Sequence, residues 1–323
     1  MEPETGRSAV VCFGEAMLRL STAPGVRLAQ AASLEVHVAG AEANVAAGLA
    51  QLGVPTRWVS RLPDSDVGRR VERELAAAGV GTEAIEWAPG ERLGLFFADT
   101  GAAPRPTAVV YDRSDSAFTA MTELPPDALA GAGFLHLTGI TVAVGNRDLL
   151  ERLLAQAKAL GVKLSFDVNH RSLLWTPAEA REALRPLLRR AAVLVCSESD
   201  ARLVLELEGD SEQLLDGMRE HWAPDAEALV LTRGDRGCVA LDQAGRRFEQ
   251  RADPATVLER FGMGDAFVAG LLWGLRRGEL PTALAAGVTL AALKATIAGD
   301  FPCITEAELE AALRRPAPSS VIR

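Results

Sequence analysis

Two spacings of apolar residues alternate along the 323-residue chain. Apolar positions three and four residues apart predict amphipathic helices, and short continuous apolar runs predict buried strands. The predicted helices are 41–52, 67–78, 148–160, 178–190, 212–220, 266–277, 282–297 and 306–314, and the predicted strands are 9–13, 56–60, 134–138, 163–167, 193–196 and 228–232. Because strands alternate with helices, the pattern predicts an α/β fold with a mostly parallel central sheet flanked by helices.

Two segments, 16–38 and 93–113, interrupt this alternation of helices and strands. They are rich in β-forming residues and in Gly and Pro turns, and they have no helical pattern. We expect them to form a small β lid that projects from the main sheet, with an exposed turn at 100–106. The predicted division is a main domain over 9–15, 39–92 and 114–315, a discontinuous lid over 16–38 and 93–113, and loose tails at 1–8 and 316–323.

Charge and composition exclude several classes of protein. A net charge of −9 and a pI near 5.2 argue against a nucleic-acid-binding protein, which would carry a basic face. The four cysteines lack the spacing of a disulfide framework or a zinc site, so a cytoplasmic location is predicted. No signal peptide is recognisable, and the most apolar stretch, 283–298, is too short to span a membrane, so no membrane partner is expected.

The segment Gly262-Met263-Gly264-Asp265 carries the clearest chemical signal. Its glycines allow a tight turn, and the free amides at the start of the helix that follows suit a phosphate group. The carboxylate of Asp265 would then stand beside the bound anion, as a base for phosphoryl transfer to a hydroxyl. A plain glycine loop in which Asp265 caps the helix is the alternative for this motif alone.

Other polar residues stand where predicted strands end or helices begin. Asp167, Ser197 and Thr232 end three strands, and the ligands of parallel sheets bind at that edge. Asn169 and Arg171 follow the first of these ends, and an arginine there can bind a carboxylate or phosphate through two parallel hydrogen bonds. A surface turn is the alternative for this segment.

Three further segments have a binding interpretation and a structural alternative. Gly40 and Asn44 open a helix of small residues and could contact a sugar hydroxyl, or the helix could simply pack closely on the sheet. Tyr111 and Arg113 share one face of a strand and suit an acid group, or lie on a solvated edge. The loop 232–237 could pass beside a nucleotide or form a bare hairpin turn.

Taken in order, these segments resemble the ribokinase-like, PfkB-type carbohydrate kinases, from Val10 to about Leu313. The stretches AGAEANVAAGLAQLG and GMGDAFVAGLL are similar to the two signatures of that family. Within it, YDR, FDVNHRSLLW and LKATIAGDF are most similar to 2-keto-3-deoxygluconate kinases. The resemblance implies a ribokinase-like fold with a small β-sheet lid.

The resemblance also implies a role for each matching residue. Asp265 would be the catalytic base, and the amides of Gly262, Met263 and Gly264 would form the anion hole. The sugar would contact Gly40, Asn44 and the lid residue Phe96, and its acid end would be held by Tyr111, Arg113 and Arg171. ATP would lie near Asn169, Ser197, Thr232, Gly234, Gly237 and Lys294, with Lys294 close to the adenine.

The implied cofactors are ATP and Mg²⁺, with Asp200 helping to organise the metal indirectly. Whether a monovalent cation activates the protein is left open, because Glu259 stands where the family usually has aspartate. Phe96 replaces a frequent tyrosine and Met263 replaces an alanine, which affects the substrate assignment more than the reaction type. A homodimer through the lid is expected, since an exposed strand edge is a natural pairing surface.

The resulting hypothesis is that the protein is an ATP-dependent kinase that phosphorylates the terminal hydroxyl of a sugar acid. The predicted substrate is 2-keto-3-deoxygluconate, and the predicted product is its 6-phosphate. The alternative within the family is a kinase of fructose or another neutral sugar. Outside the enzymes, the alternative is a catalytically silent sugar- or nucleotide-binding protein, which only Phe96 and Met263 suggest.

Overall fold

A computed structural model describes residues 8–101 and 104–314. The tails predicted at 1–8 and 316–323 lie outside these residues, apart from Ser8. Residues 102 and 103 of the turn predicted at 100–106 lie outside them as well.

A nine-stranded sheet forms the centre of the fold. Its strands are β1 (Ala9–Phe13), β4 (Thr56–Pro63), β5 (Ile85–Ala88), β8 (Ala132–Thr138), β9 (Lys163–Asp167), β10 (Ala191–Ser197), β11 (Ala228–Thr232), β12 (Cys238–Asp242) and β13 (Arg247–Gln250). The order across the sheet is β13-β12-β11-β10-β9-β8-β1-β4-β5. Neighbours from β11 to β5 are parallel, and β12 and β13 add an antiparallel margin. The predicted mostly parallel sheet is therefore confirmed.

A second, four-stranded sheet is formed by β2 (Met17–Ser21), β3 (Glu35–Ala39), β6 (Leu95–Asp99) and β7 (Ala108–Asp112), in the order β3-β2-β6-β7. Its two outer pairs are antiparallel, and the central pair β2-β6 is parallel. These strands fall within the two segments that the sequence predicts to be β-rich. We call this the small sheet; its action as a lid stays a prediction.

Helices cover the central sheet. They are α1 (Ala41–Gln51), α2 (Asp66–Ala77), α3 (Gly139–Val144), α4 (Arg147–Ala159), α5 (Pro177–Leu188), α6 (Glu198–Leu203), α7 (Ser211–Gly217), α8 (Met263–Leu275), α9 (Leu280–Lys294) and α10 (Glu306–Leu313). No helix in residues 8–101 and 104–314 is long and apolar enough to cross a membrane.

The two faces of the sheet bury separate cores, because successive strand residues point to opposite sides. In β1, Val10 and Cys12 join the core beneath α1, α8 and α9, whereas Val11 and Phe13 join the core beneath α4, α5 and α7. All four side chains are buried, and each large apolar one contributes about 1.5–3 kcal/mol. This two-sided burial explains why the parallel strands appear in the sequence as continuous apolar runs.

The predicted helices and strands match observed elements, with ends shifted by a few residues. The sequence pattern misses the short elements α3, α6, β5, β12 and β13. The strand β13, for example, reads RFEQ, and its alternating burial at the sheet margin gives no continuous apolar run.

Candidate active site

Strand register brings the predicted polar residues to one edge of the central sheet. Thr138 and Asp167 are paired at the carboxyl ends of β8 and β9, and Ser197 and Thr232 are paired at the ends of β10 and β11. The parallel direction of these strands makes their ends neighbours in space. The edge therefore presents hydroxyl and carboxyl groups along a continuous line.

The turn at Gly262 is shaped by a backbone that only glycine fits. Gly262 has φ +77°, and a β-carbon there would lie 2.0 Å from the carbonyl oxygen of Asp300. Helix α8 starts at the next residue, and one of the predicted anion-hole amides, that of Met263, already donates a long bond of 3.4 Å to the carbonyl of Arg260. Open space lies in front of Gly264, so an anion can approach the first turn of α8 there.

Asp265 lies in this first turn and is held by a residue from another helix. The side-chain nitrogen of Asn44, on α1, donates a hydrogen bond of 2.6 Å to Oδ2 of Asp265. Burial raises the pKa of Asp265 to about 6, while the Asn44 hydrogen bond and the charge of Arg171 oppose the rise. A carboxyl group with this pKa is ionised at neutral pH and is basic enough to accept a proton.

Two further carboxyl groups share the neighbourhood of Asp265. Burial, followed by the charges of Asp265 and Asp200, raises the pKa of Asp167 to about 8. Burial also raises the pKa of Asp200, whose backbone amide is capped by Ser197 Oγ at 3.0 Å. The charge of Arg171 lowers the pKa of all three groups, and its predicted contact with the acid end of a substrate stays a prediction.

The residues that the structure describes contain no set of three His, Cys, Asp or Glu side chains arranged to hold a metal ion. Asp200 belongs to the same group of carboxylates as Asp167 and Asp265, and its indirect role toward a metal stays a prediction.

The predicted acid-binding pair lies on the small sheet. Tyr111 is the cross-strand partner of Phe96, with ring centroids 5.6 Å apart, and the guanidinium carbon of Arg113 lies 5.5 Å from the Tyr111 ring centre. Arg113 is buried and forms an ion pair with Glu15, which also accepts a hydrogen bond from Ser116. The two predicted side chains are thus together, and Glu15 already neutralises the charge of Arg113.

Gly40 has a packing role in the structure. Its φ of 168° is an extended conformation that any residue adopts, but a β-carbon would lie 2.3 Å from the carbonyl oxygen of Glu15. The glycine therefore allows the start of α1 to lie against the chain that follows β1. This close approach brings Asn44 within reach of Asp265.

The loop 232–237 is the hairpin that joins β11 to β12. The amide of Arg233 donates to the carbonyl of Gly237 at 2.8 Å, and Gly234 and Gly237 have φ of +63° and +85°. A surface groove beside this hairpin is lined by Arg233, Asp235, Arg236, Glu249, Arg251 and Ala252. Arginine suits the phosphates of a nucleotide, but two of the three are already paired, Arg233 with Glu249 at 2.6 Å and Arg236 with Glu198. Asn169, which is also predicted to lie near ATP, has φ +36°. Its backbone amide donates a hydrogen bond of 3.2 Å to Oδ1 of Asp167.

The prediction that Lys294 lies close to adenine is not supported. The Lys294 side chain is fully buried at the end of α9, and its Nζ donates to the carbonyl of Ile297 at 3.0 Å. Glu259 and Asp300 favour the charged form of this amine, while burial lowers its pKa overall. The ammonium group therefore belongs to the buried surroundings of the Gly262 turn.

Comparison with known proteins decides the family. Residues 7–307 match the family model described as pfkB family carbohydrate kinase. The chain belongs to the pfkB family of carbohydrate kinases. The resemblance found in the sequence motifs is confirmed, and so is the kinase class.

Several similar proteins are named after a specific sugar acid. A 2-dehydro-3-deoxygalactonokinase from Haloferax volcanii is 42% identical over 310 residues, which cover 94% of this chain and 96% of that protein. The structure of a 2-dehydro-3-deoxygluconokinase from Thermotoga maritima has a TM-score of 0.84 at 32% identity, covering 94% and 99% of the two chains. An uncharacterized sugar kinase from Pyrococcus horikoshii, solved in complex with ATP, has the same fold at 22% identity, with a TM-score of 0.81 over 94% and 99%.

Sequence reasoning missed two acidic residues in the site of this pfkB-family chain. Glu15 binds Arg113, and Glu42, fully buried on α1, accepts hydrogen bonds from the backbone and hydroxyl of Thr138 and from Thr141 at 2.6–2.9 Å. Each of the two residues has a recognisable feature in the sequence. Glu15 lies two residues after the end of a buried strand, and Glu42 is a single charge in a helix start made of small residues.

Proposed function

We propose that this pfkB-family protein transfers the γ-phosphoryl group of ATP to the terminal hydroxyl of a 2-keto-3-deoxy sugar acid. The substrate would be 2-keto-3-deoxygluconate or its galactonate stereoisomer. The observation that carries the proposal is Asp265, held by Asn44 at 2.6 Å and standing one residue after the open space at Gly264. A carboxylate base beside a free helix start is the arrangement that phosphoryl transfer requires.

In the proposed reaction, Asp265 accepts the proton of the terminal hydroxyl as the hydroxyl oxygen forms its bond to the γ-phosphorus. The bond between that phosphorus and the bridging oxygen breaks, and ADP leaves. The amides at the start of α8 bind the charge that develops on the transferring group, since the first amides of a helix have no acceptor within it. Asn44 fixes the direction of the carboxylate.

The acid specificity is proposed to come from Tyr111, Arg113 and Arg171. A carboxylate next to Arg113 would compete with Glu15 or share its guanidinium, whose Nε has no partner among the described residues. The attraction between a buried guanidinium and a carboxylate is screened less than at the surface, and it must offset the cost of removing both charges from water. Relatives named for 2-dehydro-3-deoxy sugar acids support this class over neutral sugars.

ATP and Mg²⁺ are the proposed co-substrate and cofactor. The three arginines along the hairpin groove would hold the nucleotide, and Gly234 leaves open space beside them. The metal would be held through the phosphates, with Asp200 acting from a distance. Mg²⁺ commonly binds kinases in this way, through one or two carboxylates and the substrate phosphates.

We also propose that two copies of the protein pair through the edge strands of the small sheet. Light scattering of the purified protein would test for this homodimer.

An assay of ADP release with a panel of acceptors tests the proposal. The panel contains 2-keto-3-deoxygluconate, 2-keto-3-deoxygalactonate, fructose, ribose and no acceptor. We expect turnover with one or both sugar acids and little with fructose or ribose. Turnover of fructose without turnover of the sugar acids would instead assign a neutral-sugar kinase. Nucleotide binding without turnover of any acceptor would favour the silent binding protein.

A further inference from the structure

A buried arginine joins the small sheet to both sides of the catalytic turn. Arg19 lies on β2 and is 1% exposed. Its Nε donates to Oδ2 of Asp300 at 2.8 Å, and its Nη1 donates to Oε2 of Glu259 at 3.0 Å and to Ser21 Oγ at 2.9 Å. One guanidinium group therefore binds two carboxylates that are far apart in the chain, and it brings them together from a strand of the other sheet.

Both carboxylate residues contact the turn directly. The second carboxylate oxygen of Glu259, Oε1, accepts hydrogen bonds from the backbone amides of Arg260 and Phe261 at 3.0 and 3.3 Å. The carbonyl oxygen of Asp300 fills the space that a β-carbon of Gly262 would need. The Arg19 network thus reaches the backbone at the position where α8 and its free amides begin.

An aromatic contact follows the same route. The guanidinium carbon of Arg19 lies 4.3 Å from the centre of the Phe261 ring, and Phe261 packs on Phe96 with ring centres 6.0 Å apart. Phe96 in turn packs on Tyr111, which is proposed to contact the sugar acid. Strands β2 and β6 of the small sheet are therefore in contact with the turn through Phe261, and β7 adjoins this contact through the packing of Tyr111 on Phe96.

The charges in this network depend on each other. Burial raises the pKa of Asp300 to about 6, and Arg19 opposes that rise. Lys294 is the second buried cation beside the same two carboxylates. Removing one partner of a buried ion pair leaves an uncompensated charge, so loss of Arg19 would displace Asp300 and Glu259 from their present positions.

We propose that Arg19 is a positioning residue of the phosphoryl-transfer reaction, whose guanidinium sets the place of the anion-hole amides according to the position of the small sheet. The proposal rests on the proposed function. When the small sheet lies over a bound sugar, Arg19 holds Glu259, Asp300 and the turn between them in the geometry of this structure. Movement of β2 would carry the turn with it.

The test compares Arg19→Met and Arg19→Lys with the control Arg70→Met. Arg70 also joins the small sheet to the main domain, through the carbonyl of Val36 at 2.9 Å and Glu74 at 2.8 Å, but it touches nothing in the turn. We expect Arg19→Met to lower kcat at least about tenfold, with less than about a threefold change in the KM for ATP, because the amides act mainly in the transition state. Arg19→Lys retains one charge but cannot reach both carboxylates, and should also lower kcat. Arg70→Met should leave kcat unchanged.

Hydrogen exchange of the unliganded protein provides a readout that does not depend on the substrate. We expect exchange in residues 259–266 to rise at least about threefold in Arg19→Met, with no change in α4. Guanidinium ion should partly restore kcat to Arg19→Ala, and tetramethylammonium at equal ionic strength should not. Unchanged exchange in 259–266, or an equal fall of kcat in Arg70→Met, would overturn the proposal. If the wild type prefers a neutral sugar, the proposed substrate is wrong, and the same comparison of kcat is made with that sugar.

Discussion

Asn44 donates its side-chain amide to Oδ2 of Asp265 across 2.6 Å, although 221 positions separate them in the chain. The bond joins the first turns of α1 and α8, two helices that lie on the same face of the sheet. It stabilises the ionised carboxylate and fixes its direction. The amide oxygen of Asn44, Oδ1, is buried without a hydrogen-bond partner among the described residues.

Replacing the proposed base, Asp265, is expected to lower turnover by orders of magnitude and to leave nucleotide binding intact. Asp265→Asn keeps the size of the side chain and removes its ability to accept the proton, which should lower kcat by roughly 10²–10⁴-fold. Affinity for ATP, measured by calorimetry, should change little. Near-normal turnover in this variant would show that Asp265 is not the base.

The pH dependence of kcat/KM follows from the pKa of Asp265. The base must be ionised in the free enzyme, so kcat/KM should fall about tenfold per pH unit below pH 6 and be level above it, until another group titrates. The Asn44 bond favours the charged form, and Asn44→Ala should therefore move the acid limb to higher pH. An acid limb that stays in place in this variant would contradict the assignment.

The two glycines of the catalytic turn should respond differently to alanine. At Gly262 the φ of +77° and the contact with the Asp300 carbonyl oppose a β-carbon, so Gly262→Ala should lower the free energy of unfolding by at least about 1–2 kcal/mol. Gly264 has open space, so Gly264→Ala should leave stability within about 0.5 kcal/mol and lower kcat because its methyl group enters the phosphate site. Denaturant unfolding and initial rates measure the two effects. Equal loss of stability in both variants would contradict this distinction.

Acid recognition is testable by a change in substrate preference. Arg113→Ala and Arg171→Ala should each lower kcat/KM for the sugar acid at least about tenfold, with a smaller loss for any neutral sugar that is turned over. Arg105→Ala is the matched control, since Arg105 lies beside the small sheet but pairs with Asp99. A similar loss for acid and neutral substrates would assign the arginines to the fold instead of the substrate.

Asp167 should make the unliganded fold less stable as pH rises. Its pKa in the folded protein is about 8, above the value near 4 of an unfolded chain, so the folded state binds the proton more tightly. This contribution to stability is complete below about pH 4 and is lost as the pH rises through 8. Asp167→Asn should therefore reduce the decline in the free energy of unfolding between pH 5 and 8. An identical slope in both proteins would contradict the raised pKa.

Local chemistry made part of the fold and site predictable. Glycine turns, helix starts and continuous apolar strands depend on neighbours within a few residues, so the elements, the parallel sheet and the turn at Gly262 could be predicted from their own segments. The short marginal strands β12 and β13 could not, because their burial depends on the rest of the sheet. The burial of Lys294 could not be predicted for a similar reason, since a lysine at the end of an apolar helix gives no sign of which groups surround its amine.

The sequence by itself determined the order of strands and helices, the polar residues that meet at one edge of the sheet, and the family. Only the tertiary structure decided which charges meet. Glu15 neutralises Arg113 from 98 positions away, and Arg19 reaches Asp300 across 281. Such pairs leave no local pattern, because either residue alone is an ordinary surface charge until folding removes water from both. Burial of these charges follows from how the two sheets meet, and that meeting sets the electrostatics of the site.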